Sequence, residues 1–177
     1  VQKTGPVFDL EKLNWYNGYY LRKMVEEKGI NELAAKLIAG GFVPEDFLLE
    51  KMAQFLPLIY ERLVTLSDFQ ELTDFFWQDP KPEKELLLKK AERELVRTQL
   101  NLTKAFLETI VWIPEEIERV VRQLTEDKNY KKSQYFMMLR VAVTGKKATP
   151  PLFETMSVLD KETVLRRLSL AEKVILT

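Results

Sequence analysis

A chain of 177 residues with 46% hydrophobic and 31% charged side chains can bury a core of its own, as one domain or as two small halves, and is too apolar to be disordered. It contains no cysteine and no histidine, which excludes disulfides, thiolate zinc sites, cysteine nucleophiles and histidine triads and favours a cytoplasmic setting. The 27 basic and 27 acidic residues cancel overall, yet residues 129–177 hold nine basic and four acidic side chains, so that segment carries +5 and the first 128 residues −5. This asymmetry points to a charged partner for the C-terminal end.

No run reaches the roughly 18 apolar residues of a membrane span, and Val1 to Pro6 lack the basic-then-apolar pattern of a secretory signal. The chain does not begin with Met, which suggests a segment of a longer protein or a processed start. Few glycines, long stretches at helical period and no sustained alternation at period two predict an all-α fold.

Asp9 is placed to cap a first helix whose apolar positions Leu10, Leu13, Trp15, Tyr16, Tyr20, Leu21 and Met24 recur at three and four, with Gly29 past its end. A second helix fits Asn31 to Ala39, stopped by Gly40 and Gly41. Pro44 suits the first position of a third helix with Glu45 and Asp46 in its first turn, and Pro57 predicts a break before Leu58 to Val64. Ser67 is placed to cap Asp68 to Trp77. The segment Gln78-Asp79-Pro80-Lys81-Pro82 cannot continue a helix, which sets a boundary between parts 1–78 and 79–177. A long helix from Pro82 to Thr109 follows, with Leu86, Leu87, Leu95, Leu100, Leu102 and Phe106 available for burial. Further helices are expected from Pro114, over Lys131 to Val143 with Gly145 at its end, over Leu152 to Val158, and over Lys161 to Leu170 with Asp160 as cap.

Catalytic patterns are scarce. Gly40-Gly41 lacks the later glycine, lysine and hydroxyl residue of a phosphate loop, and Glu26-Glu27 and Glu115-Glu116 diverge by about 100° on their helices, so they read as solvated faces. Trp15, Tyr16, Tyr19 and Tyr20 could stack on bases, but an aromatic stripe on a helix is more often core. The stretch Tyr130 to Phe153 differs. It joins Lys131, Lys132, Arg140, Lys146 and Lys147 to a helix end, a proline-stiffened loop and the hydroxyls of Thr144 and Thr149, a combination suited to reading unstacked RNA bases; a capped helix–loop–helix is the alternative on spacing alone.

Two segments resemble a known family. Val7-Phe8-Asp9-Leu10-Glu11-Lys12-Leu13-Asn14-Trp15, with Asn17-Gly18-Tyr19-Tyr20-Leu21-Arg22, is similar to the stretch just after the catalytic signature loop of bacterial-type glutamyl-tRNA synthetases. Leu139-Arg140-Val141-Ala142-Val143-Thr144-Gly145, Thr149-Pro150-Pro151-Leu152-Phe153-Glu154, Leu159-Asp160-Lys161-Glu162 and Leu165-Arg166-Arg167-Leu168 resemble that family's C-terminal anticodon-binding domain. The resemblance implies a two-part, helical-cage body in which 1–78 contacts the tRNA stem and 79–177 the anticodon. It places Arg62 where the family sets an arginine on the third anticodon base, and Arg140, Thr149, Pro150, Pro151 and Leu152 at the anticodon-contacting helix end and loop; Lys146 and Lys147 complete the expected RNA-binding set. Pro151, Asp160 and Asn129 stand where the family often has glycine, and Met138 where proline is common.

Glutamyl-tRNA synthetases carry ATP chemistry on a domain with His-Ile-Gly-His and Lys-Met-Ser-Lys-Ser signatures. A chain without histidine lacks the first, and Lys23-Met24-Val25 is not the second. The resemblance therefore implies an RNA-binding part of a ligase with no catalytic residue, metal or cofactor in this chain, ATP and Mg belonging to the catalytic domain. The implied partners are tRNA(Glu), tRNA(Gln) as a second candidate, and that catalytic domain, with no membrane. The competing expectation is a helical interaction module that keeps the fold and has lost RNA binding.

Overall fold

The computed structural model describes residues 9–44 and 49–177. They form ten α-helices and two 3₁₀ turns, and no strand occurs among the described residues. The fold is all-α. By backbone packing the chain divides into two compact units, Val1–Thr73 and Asp74–Thr177.

In the first unit α1 (Leu10–Lys28) and α2 (Ile30–Ala39) meet at Gly29, whose φ of 83° is a conformation that side chains with a Cβ rarely adopt. Asp9 caps α1, its carboxylate accepting from the Lys12 amide at 3.0 Å. Next come α3 (Leu49–Ile59), a 3₁₀ turn at Tyr60–Arg62 and α4 (Asp68–Thr73). The first turn expected at Glu45 and Asp46 lies outside the described residues. No break occurs at Pro57: α3 runs through it and ends two residues later. Ala53 and Pro57 are both exposed, so water can reach the carbonyl that the proline leaves without its helical donor. The core is Leu33, Leu37, Met52, Phe55, Leu56, Ile59, Leu63 and Phe69, with the Phe55 and Phe69 rings 6.0 Å apart.

The aromatic stripe of α1 is not core. Gly18 is the one buried residue of this 19-residue helix, whereas Trp15 and Tyr20 are each 61% exposed. Gly18 is covered by the Arg22 side chain of the same helix, and Tyr20 lines an open hollow with Lys36, Val64, Thr65 and Leu66 rather than filling a core. These rings pack on one another instead: Trp15 and Tyr19 stack at 5.6 Å, Tyr16 and Tyr20 at 6.4 Å.

In the second unit a 3₁₀ turn (Asp74–Phe76) precedes α5 (Lys84–Leu88), α6 (Arg93–Leu107), α7 (Pro114–Asp127), α8 (Lys132–Thr144), α9 (Leu152–Val158) and α10 (Lys161–Leu176). Ser67's expected helix to Trp77 is thus a six-residue α-helix followed by the 3₁₀ turn. The single helix expected over Pro82–Thr109 is two, parted where Lys89 and Lys90 take φ of 41° and 67°. Helical phase explains the break: nine residues separate Leu87 from Val96, so in one continuous helix they would face opposite ways, yet both are buried. Parting the helix lets α5 pack on α8 while α6 packs on α10. Leu95 and Phe106, expected to be buried, are 42% and 48% exposed because Val96, Leu100, Thr103 and Leu107 occupy the inward face. Helix α10 continues past Leu170 through the apolar tail, burying Ala171 and Ile175.

One buried polar chain stiffens this core. Thr103 Oγ1 donates to the Gln99 carbonyl at 2.6 Å, which leaves its oxygen to accept from the Tyr135 hydroxyl, also at 2.6 Å. Burial pushes the Tyr135 phenol up to about 12, so it remains a donor.

Candidate nucleic-acid interface

Helix α8 delivers the basic loop. Its C-terminus closes at Gly145, φ 73°, whose amide donates to the Val141 carbonyl at 2.8 Å. A Cβ built at Gly145 would approach Pro80 Cβ to 3.0 Å, so glycine is favoured here by backbone conformation, and any larger residue would also have to shift Pro80. The Thr144 hydroxyl donates to the Arg140 carbonyl at 2.7 Å and accepts from the Lys146 amide at 3.2 Å, setting the first step of the loop.

Arg140 reaches across the loop from the last turns of the helix. Its guanidinium donates to the Thr149 carbonyl at 3.4 Å, to the Pro150 carbonyl at 3.1 Å and to the Thr149 hydroxyl. Thr149 and Pro150 are buried by this grip, Leu152 starts α9 and is 4% exposed, while Lys147 and Pro151 face solvent. Lys146 is half-buried and forms a bifurcated contact with Asp74, 2.8 Å to Oδ1 and 2.9 Å to Oδ2. The structure therefore joins Arg140, Lys146, Lys147, Thr149, Pro150, Pro151 and Leu152 in one loop with a helix at either end. Arg62 belongs to the other unit, exposed at the end of its 3₁₀ turn. Beside it Glu61 accepts from Arg22 Nη1 through its backbone carbonyl at 3.5 Å, and its carboxylate holds the Tyr60 phenol above its ordinary value.

A second arginine, given no role by the motif Leu165-Arg166-Arg167-Leu168 that contains it, holds the end of α8 from behind. Arg167 is 2% exposed, and its guanidinium donates to the carbonyls of Phe75 (2.7 Å), Gln78 (3.0 Å) and Val143 (2.8 Å), tying the segment before α5 to the end of α8. Its Nε makes no hydrogen bond and lies 3.5 Å from Asp79 Oδ1, a charge contact only. Burial lowers its pKa from the usual arginine value. Arg166 forms a two-pronged pair with Asp79, and that hydrogen bonding holds the Asp79 carboxyl below its ordinary range. The sequence did carry a signal: Arg167 sits among Val164, Leu168, Ala171 and Ile175 on the apolar stripe of α10, where a charge needs buried partners. Several charges of the +5 segment are thus engaged within the molecule.

Among the described residues no three acidic side chains gather to hold a metal ion, and no helix is long and apolar enough to cross a membrane. What the fold and this loop define is an all-helical module displaying a stiffened basic loop. The chain belongs to the anticodon-binding domain family, whose model matches residues 20–172. It is 34% identical to a glutamate–tRNA ligase of Herpetosiphon aurantiacus and 31% identical to one of Borreliella burgdorferi, over 97% and 98% of this chain and 36% of each relative. The glutamate–tRNA ligase of Elizabethkingia meningosepticum, solved with its amino acid, superposes with a TM-score of 0.81 at 25% identity, over 99% of this chain and 34% of that one. The chain spans about a third of these relatives and corresponds to their anticodon-binding part.

Proposed function

We propose that this chain holds the anticodon arm of tRNA(Glu), and of tRNA(Gln) where the parent ligase accepts it, while a separate catalytic domain carrying ATP and Mg attaches glutamate in the cytoplasm. The observation that carries this reading is the grip of Arg140 on Thr149 and Pro150, which ties the basic loop to the end of α8. A loop already ordered loses little entropy on binding, and this suits capture of splayed bases. In this reading Arg62 and Arg140 address base edges, Arg140 while its Nη1 keeps hold of Thr149 and Pro150; Lys147 meets phosphates, joined by Lys146 when it exchanges Asp74 for one; and Thr149, Pro150, Pro151 and Leu152 shape the surface on which bases lie.

Titration of the chain with matched tRNA(Glu) and with an anticodon-changed copy at one salt concentration tests the assignment. Arg62→Ala and Arg140→Ala should each weaken the matched RNA by about 1–3 kcal/mol and narrow the preference between the two, whereas Lys147→Ala should weaken both alike. A parent chain with no salt-dependent RNA affinity would favour the interaction module that has lost RNA binding. An unchanged ratio in both arginine variants would remove the base-reading roles.

A further inference from the structure

At the far end of α8 four unfavourable residue choices converge. Lys89 and Lys90 adopt left-handed backbone in succession, φ 41° and 67°, where asparagine or glycine is the economical occupant. The turn is kept in place by Gln134 of α8, whose amide donates to the Leu88 carbonyl at 3.4 Å and the Lys89 carbonyl at 3.2 Å. Lys131 is the N-cap of α8, makes no capping bond through its side chain, and is followed by Lys132; the first turn holds no acid. Cations at a helix N-terminus oppose the helix dipole. Lys89, Lys90 and Lys131, with Ser133 and Gln134, line one hollow of about 350 Å³. None of the three lysines forms an ion pair with a described residue, in contrast to Lys146 and Arg166 of the same unit.

The burial of Leu87 and Val96 requires a turn here but not lysine in it, and nothing in the packing requires Lys131 and Lys132 at the start of α8; it is the choice of four lysines at one place that indicates a demand outside the fold. We propose that this hollow is a second RNA contact, binding phosphates of the RNA backbone through Lys89, Lys90 and Lys131 with no reading of sequence. The inference rests on the RNA-binding reading above. Lysines are compact point charges suited to phosphate oxygens. The occupant is RNA rather than an acidic protein because the opposite end of the same 13-residue helix carries the basic loop. Those two ends lie about 20 Å apart, a span within the reach of one RNA arm.

The experiment uses the whole chain, tRNA(Glu), its anticodon-changed copy and polyglutamate as probes, each titrated between 50 and 200 mM salt. Lys89→Gln/Lys90→Gln/Lys131→Gln should make the logarithmic salt slope shallower by about 2, since each lost phosphate contact removes about 0.7–0.9. The gap between variant and parent should therefore close about 16-fold across that salt range, equally for both RNAs. Lys89→Asn/Lys90→Asn should hold or raise the melting temperature, because asparagine suits the turn, while still weakening RNA; this separates a binding role from a structural one. If the parent chain shows no salt-sensitive RNA binding, the proposed function and this inference fall together. If the parent binds but both variants match it, the inference alone is overturned, and so it is if polyglutamate loses affinity and RNA does not.

Discussion

Helix α1 of the first unit and helix α10 of the second treat their conspicuous side chains in opposite ways. In the first, α1 leaves Leu10, Trp15 and Tyr20 more than half exposed while Gly18 lies buried beneath the Arg22 side chain of the same helix. In the second, even an arginine is drawn inside and met by three carbonyls. Residue type is thus a poor guide to burial here. What decides it is whether the surrounding backbone offers partners, and the end of α8 and the segment before α5 do so for Arg167.

The largest test of that contrast is Arg167→Met. It leaves the Phe75, Gln78 and Val143 carbonyls without their donor, so denaturant unfolding should show a loss of roughly 3–5 kcal/mol; a loss below about 1 kcal/mol would mean that water replaces the guanidinium and the grip is dispensable. A smaller effect is expected at the buried hydroxyl pair. Thr103→Val strands the Tyr135 phenol and should cost about 1–3 kcal/mol, whereas Tyr135→Phe leaves Thr103 still donating to Gln99 and should cost under about 1 kcal/mol. Equal costs would show that the direction of that hydrogen bond is misassigned. The smallest effect belongs to α1: Trp15→Ala should stay within about 0.5 kcal/mol of the parent, against about 3–5 kcal/mol for Phe55→Ala. A Trp15 cost near the Phe55 value would mean that the stripe of α1 is packed as tightly as the core of its own unit.

The sequence made much of this legible where a residue announces its own backbone. Asp9 and Asp160 were identifiable as caps, and both carboxylates accept the expected amide, from Lys12 at 3.0 Å and Thr163 at 2.8 Å. Asp160 and Asn129, set where the related family often has glycine, have φ of 65° and 50°, the conformation for which glycine is used. The break at Lys89–Lys90 carried no such mark, because neither residue is a turn former and the cause is a distant helix that must bury Leu87. Periodicity found the stripe of α1 but is silent on whether anything covers it. Arg140 was legible as a site residue from its place at a helix end, whereas its hold on Thr149 and Pro150 depends on a loop path that spacing does not specify.

Gly145 bears on how portable the loop is. Its left-handed backbone and the 3.0 Å approach of Pro80 to any Cβ built there make two positions, distant in the chain, fit only as a pair. Grafting residues 145–151 onto another helical scaffold would therefore fail to reproduce the loop unless a counterpart of the Pro80 segment came with it. The peptide that faces solvent is a small visible part of a larger unit, to which the Pro80 segment and Gly145 both belong.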